Sequence, residues 1–231
     1  IVSGADALML TGHEAAAHGG DVTSLVLIPS LSQQFPDTPI VAAGGFANGR
    51  GLAAALTLGA DAVAMGSRFA VSRESSLAET VKEAITQATE SDTVYGSNFD
   101  GIPARVLKTP ISSQLMKNRP FVGTTIYRAF QAAREMGIPL WKVVPGLLTD
   151  FSKMFMVAQF GAASVRLQEA TIRGDLKEGV QFIGQSQGMI QDVGSVDEIV
   201  QRIVNEAREA NASTAGMLDE EGEQFVQAKA L

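Results

Sequence analysis

Two short apolar runs that each break into glycine constrain this chain more than any other feature. The first is Pro39-Ile40-Val41-Ala42-Ala43, ended by Gly44-Gly45; the second runs from Ala60 to Met65 and is ended by Gly66-Ser67. An apolar run closed by glycine reads as a buried strand entering a tight turn. Glycine at that point permits positive φ and lets the backbone come close to a ligand oxyanion. Between the two runs, Leu52, Ala55, Leu56 and Gly59 recur at helical spacing. The order strand, glycine-rich turn, helix, strand, small-residue turn is a βαβ unit with anion-binding turns at its carboxyl ends.

The same punctuation recurs upstream. Gly4-Ala5-Asp6-Ala7, before the apolar Ala7 to Leu10, repeats Gly59-Ala60-Asp61-Ala62 and predicts equivalent helix-to-strand turns. A loop of small residues from Thr11 to Asp21 follows and holds both histidines, His13 and His18. A helix predicted over Ser24 to Phe35 then leads through Pro36 to Pro39 into the Gly44-Gly45 strand. Three βα units are thereby predicted, the last completed by a helix over Glu74 to Glu90 with Leu77, Val81, Ile85 and Ala88 on one side. Residues 91–107 alternate between extended and turn character and end the barrel-like region. The chain opens on Ile1 without Met, at the edge of a strand-like run, and reads as a fragment of a larger closed architecture.

Beyond Pro110 the character changes. Met, Phe and Trp become frequent, Pro120, Pro139 and Pro145 punctuate, and helices are predicted over Thr125 to Met136 and Thr149 to Gln159. This segment reads as a helical cap. Phe121, Tyr127, Phe130, Trp141, Phe151, Phe155 and Phe160 are read as core rather than as the lining of an acyl pocket. The polar stretch within Ile172 to Ile190 is expected to return to the site. Ser195-Val196-Asp197-Glu198 is a capping-box pattern opening a helix with Ile199, Ile203 and Ala207 on its buried stripe. The acidic tail from Asn211 is expected to be solvated and frayed. Three regions result: 1–108, the C-terminal part of a barrel; 109–165, the cap; and 166–231, a loop and helix returning to the barrel.

Composition narrows the function. A formal net charge of -7, with Lys and Arg scattered, argues against a nucleic-acid surface or an anionic membrane as partner. There are no cysteines, so disulfides, thiolate metal sites and cysteine nucleophiles are excluded and a reducing cytoplasm is expected. Gly, Pro or charge interrupts every apolar run before it reaches membrane-spanning length, and no signal peptide is evident. Imidazole titrates near neutrality, and small neighbours let it stand close to a ligand, so His18 is the candidate base; a loop hydrogen bond is the other role open to it. His13 fits the loop role better.

Gly12-x-Glu14-Ala15-x-x-His18-x-Gly20, Ala42-Ala43-Gly44-Gly45 and Met65-Gly66-Ser67-Arg68-Phe69 occur in an order that resembles the nitronate monooxygenases, formerly 2-nitropropane dioxygenases. The flavin-dependent enoyl-acyl-carrier-protein reductases share the pattern. The resemblance implies an α/β fold of TIM-barrel type binding FMN, with these pieces as its last three βα units, plus a helical C-terminal extension. It implies that Thr11, Ala16, Gly44, Gly45, Ala64, Met65, Gly66 and Ser67 surround the cofactor, that His18 handles the proton and that no metal is needed. The family pattern has Gln at Thr11, Gly-Gly at Ala16-Ala17 and Thr at Ser67.

The implied reaction is oxidation of an alkyl nitronate by O2 to a carbonyl compound and nitrite. Reduction of an enoyl thioester or a quinone by NAD(P)H on the same barrel is the rival, and a homo-oligomer is compatible with either. A non-catalytic half-barrel acting as a binding or assembly module is a third reading, favoured by Thr11 and Ala16.

Overall fold

A computed structural model of the chain describes residues 4–118, 123, 127, 134 and 151–229, with side chains described at 4–118, 123, 127, 134 and 159–218. Three strands, β1 (Leu8–Thr11), β2 (Ile40–Ala43) and β3 (Ala62–Ala64), form a parallel sheet in that order. Thr11 pairs with Ala43 and Ala43 with Ala64, so the three strands end level. Parallel neighbours require crossovers, and α1 (Ser24–Gln34) and α2 (Gly49–Thr57) supply them. Ile40, Ala42 and Ala43 of β2 are all buried, as expected of a central parallel strand covered on both faces.

The repeated Gly-Ala-Asp-Ala does mark equivalent turns. Gly4 and Gly59 both hold positive φ, at 83° and 97°. Leu10, Ile28, Ile40, Ala42, Phe46, Ala55, Ala60 and Met65 form one core with Ile199 and Ile203. Full burial of each isoleucine contributes about 1.5–3 kcal/mol.

After the short α3 (Gly66–Ala70), the helix expected over Glu74 to Glu90 is confined to α4 (Glu79–Thr86). Local side chains take up the groups a longer helix would need. At the start, the Leu77 amide donates to the Ser75 hydroxyl, and the Ser75 carbonyl accepts from the fully buried Lys82. At the end, the Thr89 amide and hydroxyl both donate to Asp92. Leu77, Val81 and Ile85 are nonetheless buried along one stripe.

Residues 91–107 contain an antiparallel hairpin, β4 (Thr93–Gly96) with β5 (Ala104–Leu107), separate from the parallel sheet. α5 (Pro110–Lys117) follows, opened by a reciprocal Thr109–Ser112 capping box with Pro110 in its first turn. Of the predicted Thr125 to Met136 helix, Tyr127 and Arg134 are described and are helical; its other residues lie outside the described ones. The next, α6 (Phe151–Thr171), extends well past Gln159. The aromatic series is not uniformly core: Tyr127 is 70% and Phe160 54% exposed; for Phe160, apolar residues on α6 are not confined to one face. Phe121, Phe130, Trp141, Phe151 and Phe155 lie outside the described side chains.

α7 (Val196–Lys229) opens on the expected capping box: the Ser195 amide donates to Glu198 at 2.8 Å and the Glu198 amide to the Ser195 hydroxyl at 3.2 Å. Ile199, Ile203 and Ala207 are its buried stripe. The tail is helical to Lys229 rather than frayed; Ala, Glu, Gln, Lys, Met and Leu, which together fill just over half of it, are strong helix formers. α7 lies across α2 at Gly49, where an added Cβ would stand 2.3 Å from the Glu206 Cβ. The Gly49 amide donates to Glu206 at 2.8 Å.

A charge cluster ties α3 to α7. Arg68, 2% exposed, donates to the Asp192 carboxylate at 3.0 Å and to its carbonyl at 2.7 Å, while Arg202 grips both carboxylate oxygens at 3.1 and 3.0 Å. Burial works to raise the Asp192 carboxyl, but the hydrogen bonds and charges of Arg202 and Arg68 outweigh it, and the group sits below its ordinary 3.8. A depressed folded value means that its contribution is complete above pH 3.8 and is lost as pH falls through the folded value. Asp192→Asn should therefore cost about 1–2 kcal/mol at pH 7, a figure that allows for solvent screening of a half-exposed carboxylate. Urea melts should show the two proteins converging below the carboxylate range; a gap that persists there would contradict this account.

Candidate active site

Because the three strands end level, the segments that follow them converge at one end of the sheet. Gly44 and Gly45 hold φ of 89° and 83° directly after β2. A side chain on Gly44 would meet the Gly12 carbonyl at 2.9 Å, so the two turns are packed backbone to backbone. Gly66 follows β3, and an ideal Cβ there would meet nothing within 4 Å: it faces open space. The amides of Gly44, Gly45, Gly66 and Ser67 enter none of the hydrogen bonds found among the described residues. Backbone donors left without a protein acceptor at the end of a parallel sheet are suited to an anion.

Glu14 holds this end together. Its carboxylate accepts the Ser24 amide at 3.0 and 3.2 Å and the Ser24 hydroxyl at 3.1 Å, capping α1 where the Thr23 side chain does not. The Ser24 hydroxyl also lies 2.8 Å from the Gly44 carbonyl. The helix start, the loop after β1 and the turn after β2 thus share one cluster of bonds.

Ile172 to Ile190 does return here. The Gly184 amide donates to the Ser67 hydroxyl at 3.0 Å, and the Gln185 amide to the Glu14 carbonyl at 2.9 Å. A Cβ on Gly184 would sit 3.1 Å from the Ala16 amide nitrogen and 3.3 Å from the Ser67 hydroxyl. Ser67 is buried and its hydroxyl oxygen accepts the Gly184 amide, which leaves its proton and a second lone pair to offer.

Of the residues singled out in the sequence, Thr11 and Ala64 are the last of β1 and β3, and Gly44, Gly45, Gly66 and Ser67 follow the strand ends. Met65 turns its side chain into the core. Ala16 joins the group through Gly184. His18 stands apart from the glycine turns: its Nε2 is 2.7 Å from Asp100 Oδ2 and its ring lies edge-on to Phe182 at 5.8 Å. The imidazole is 35% exposed and Asp100 1%. His13 has the loop role, its Nδ1 bonded to the Gly20 carbonyl at 3.0 Å and its ring edge-on to Tyr95. Asp100 has no signal in the sequence, since its histidine partner is 82 positions away; Glu14 lies in the quoted motif, and Phe182 and Gly184 in the stretch expected to return, without individual roles.

The nitronate monooxygenase family model matches residues 1–206. The chain belongs to the nitronate monooxygenase family. It is 34% identical over 212 residues to (3aS,4S,5R,7aS)-5-hydroxy-7a-methyl-1-oxo-octahydro-1H-indene-4-carboxyl-CoA dehydrogenase of Mycobacterium tuberculosis, covering 88% of this chain and 60% of that protein. A probable nitronate monooxygenase of Staphylococcus saprophyticus is 41% identical over 113 residues, 45% of this chain and 32% of that one. FabK from Thermotoga maritima superposes with a TM-score of 0.69 at 33% identity, covering 94% of this chain and 58% of that chain. The chain therefore spans about 60% of the length of the first of these relatives.

Among the described residues other than glycine, Ala17 holds a positive φ, at 53°, a conformation that costs an L-residue roughly 1–2 kcal/mol. Its amide donates to the Arg105 carbonyl at 3.1 Å, and the Arg105 amide returns a bond at 2.9 Å. Those paired bonds hold the strained turn and deliver His18 to the β4–β5 hairpin.

Proposed function

We propose that this family member is an FMN-dependent oxidoreductase acting on carbon acids, with alkyl nitronate oxidation by O2 to a carbonyl compound and nitrite as the reaction. The observations that carry this reading are an exposed histidine backed by a buried carboxylate and a set of strand-end turns whose amides have no acceptor among the described residues. Open space at Gly66 and the unengaged amides of Gly44, Gly45, Gly66 and Ser67 fit a terminal phosphate of FMN. Thr11, Ala16, Ala64 and Met65 would complete the cofactor wall through their backbone. A bound flavin would supply the two-electron redox chemistry. The three parallel βα units are read as part of a TIM barrel, whose late-strand loops commonly hold phosphate.

His18 would hold or move the proton at the substrate carbon next to the electron-withdrawing group. Phe182 shields one side of the ring and limits the water around it. The same arrangement serves a thioester, and the CoA-thioester name carried by the Mycobacterium tuberculosis relative favours reduction of an enoyl thioester by NAD(P)H as the second reading.

One experiment separates the two. The purified protein should carry FMN and release nitrite from an alkyl nitronate in air. Anaerobic NAD(P)H consumption should not accelerate with crotonyl or longer enoyl thioesters. Acceleration by thioesters without nitrite release would overturn the nitronate reading in favour of the second, and a protein that stays colourless after reconstitution with FMN would sink both.

A further inference from the structure

The motifs that reveal His18 say nothing about its partner, 82 positions away. Asp100 lies in the loop between β4 and β5, next to Gly101 at φ 98°. Its Oδ1 accepts the Ile102 amide at 3.2 Å and its Oδ2 meets His18 Nε2 at 2.7 Å. A carboxylate that is 1% exposed has left water almost completely, and such a group needs strong donors to be tolerated. Here they are one backbone amide and one imidazole N–H. A separation of 2.7 Å falls within the range of charge-assisted bonds.

We propose that Asp100 is a positioning residue that fixes the His18 tautomer, with the proton on Nε2, so that Nδ1 is the nitrogen that exchanges a proton with substrate; this rests on the reading of His18 as the proton-handling group. A carboxylate has only acceptor sites to offer, so the nitrogen facing it carries the hydrogen. Among the described residues Nδ1 has no hydrogen-bond partner. Ring rotation is restricted by Phe182 edge-on at 5.8 Å, itself edge-on to Phe99 at 5.9 Å. The backbone before His18 is fixed to β5 by the paired Ala17–Arg105 bonds. With a neutral nitroalkane, the C–H bond breaks and an Nδ1–H bond forms. The electron pair stays on carbon, delocalised into the nitro group, and the resulting imidazolium faces the Asp100 carboxylate. Proton transfer is thus set up by a loop that the histidine motif does not include.

The test is NMR of the protein labelled with 15N-histidine, at a pH where imidazole is neutral. With two histidines in the chain, a His13→Asn variant assigns the spectrum. The expected His18 pattern is a single tautomer protonated at Nε2, with a downfield, slowly exchanging N–H. Asp100→Asn keeps an oxygen for the Ile102 amide but removes the charge. It should shift that proton upfield or lose it to exchange while the Ile102 amide resonance stays in place. In the flavin-loaded enzyme the same variant should lower kcat on a neutral nitroalkane about 100-fold with KM little changed. A wild-type His18 protonated at Nδ1, or averaged between tautomers, overturns the assignment even if Asp100→Asn does not fold. So does a variant whose Nε2–H is unaffected. A locked Nε2–H in a protein that turns over neither nitroalkanes nor thioesters supports the positioning and refutes the reaction. Turnover with an unlocked ring does the reverse.

Discussion

His18→Asn is expected to lower turnover of a neutral nitroalkane by about 1,000-fold, the range that removal of a positioned general base produces. The same variant should oxidise a preformed nitronate anion far better, because the proton is already gone. Flavin content should be unchanged, since His18 contacts Asp100 and Phe182 rather than the glycine turns. Stability should fall by about 1–3 kcal/mol, because the buried Asp100 carboxylate loses the imidazole N–H at 2.7 Å. Steady-state nitrite release from both substrate forms makes the comparison. Equal loss on the nitroalkane and on its anion would remove the base from the mechanism, and an unaffected nitroalkane rate would remove His18 from it altogether.

The second large effect is structural. Gly12→Ala places a Cβ 2.0 Å from the Ser24 hydroxyl, 2.6 Å from the Glu14 carboxylate and 2.6 Å from the Ser24 amide nitrogen. None of these can step aside cheaply, because Ser24 and Glu14 are bonded to each other and Ser24 to the Gly44 carbonyl. The substitution should cost about 3–4 kcal/mol, at the upper end for overpacking. In a protein of this size that corresponds to a melting temperature lower by roughly 10 °C. Flavin affinity should fall with it, as the cluster also sets the turn after β2. Gly20→Ala is the matched control: nothing lies within 4 Å of its added Cβ, and its effect should stay within about 0.5 kcal/mol. Thermal denaturation of the two variants settles the matter, and equal melting temperatures would show that the Gly12 cluster yields.

What could be read from the sequence divides along physical lines. The parallel units were legible because glycine after an apolar run marks both a strand end and a turn, and β2 and β3 fall within a residue or two of the expected bounds. The capping box at Ser195 was legible because both partners lie within one turn of helix. Asp100 was not, since nothing in Asn98-Phe99-Asp100-Gly101 announces a histidine partner; only the β4–β5 pairing and the Ala17–Arg105 bridge bring the two together. The start of α1 misleads in a similar way. Thr23 is the natural N-cap by residue type, yet Glu14 does the capping, because the loop after β1 folds back over the helix start. The length of α4 was overestimated because periodicity sees the apolar stripe and not the serine and aspartate bonds that close its ends.

The bond from Gly184 to Ser67 spans 117 positions. During synthesis the glycine turns at 44, 45 and 66 are complete long before their backing segment exists. At about 5–20 residues per second, the ribosome needs roughly 6 to 23 s to make the intervening chain. For that interval the Ser67 hydroxyl and the Ala16 amide are without the strand of backbone that later closes over them. On the FMN reading proposed above, flavin acquisition would be a late event in the life of the nascent polypeptide, and a pause or nick ahead of Gly184 leaves a chain that has its glycine turns and lacks the wall behind them.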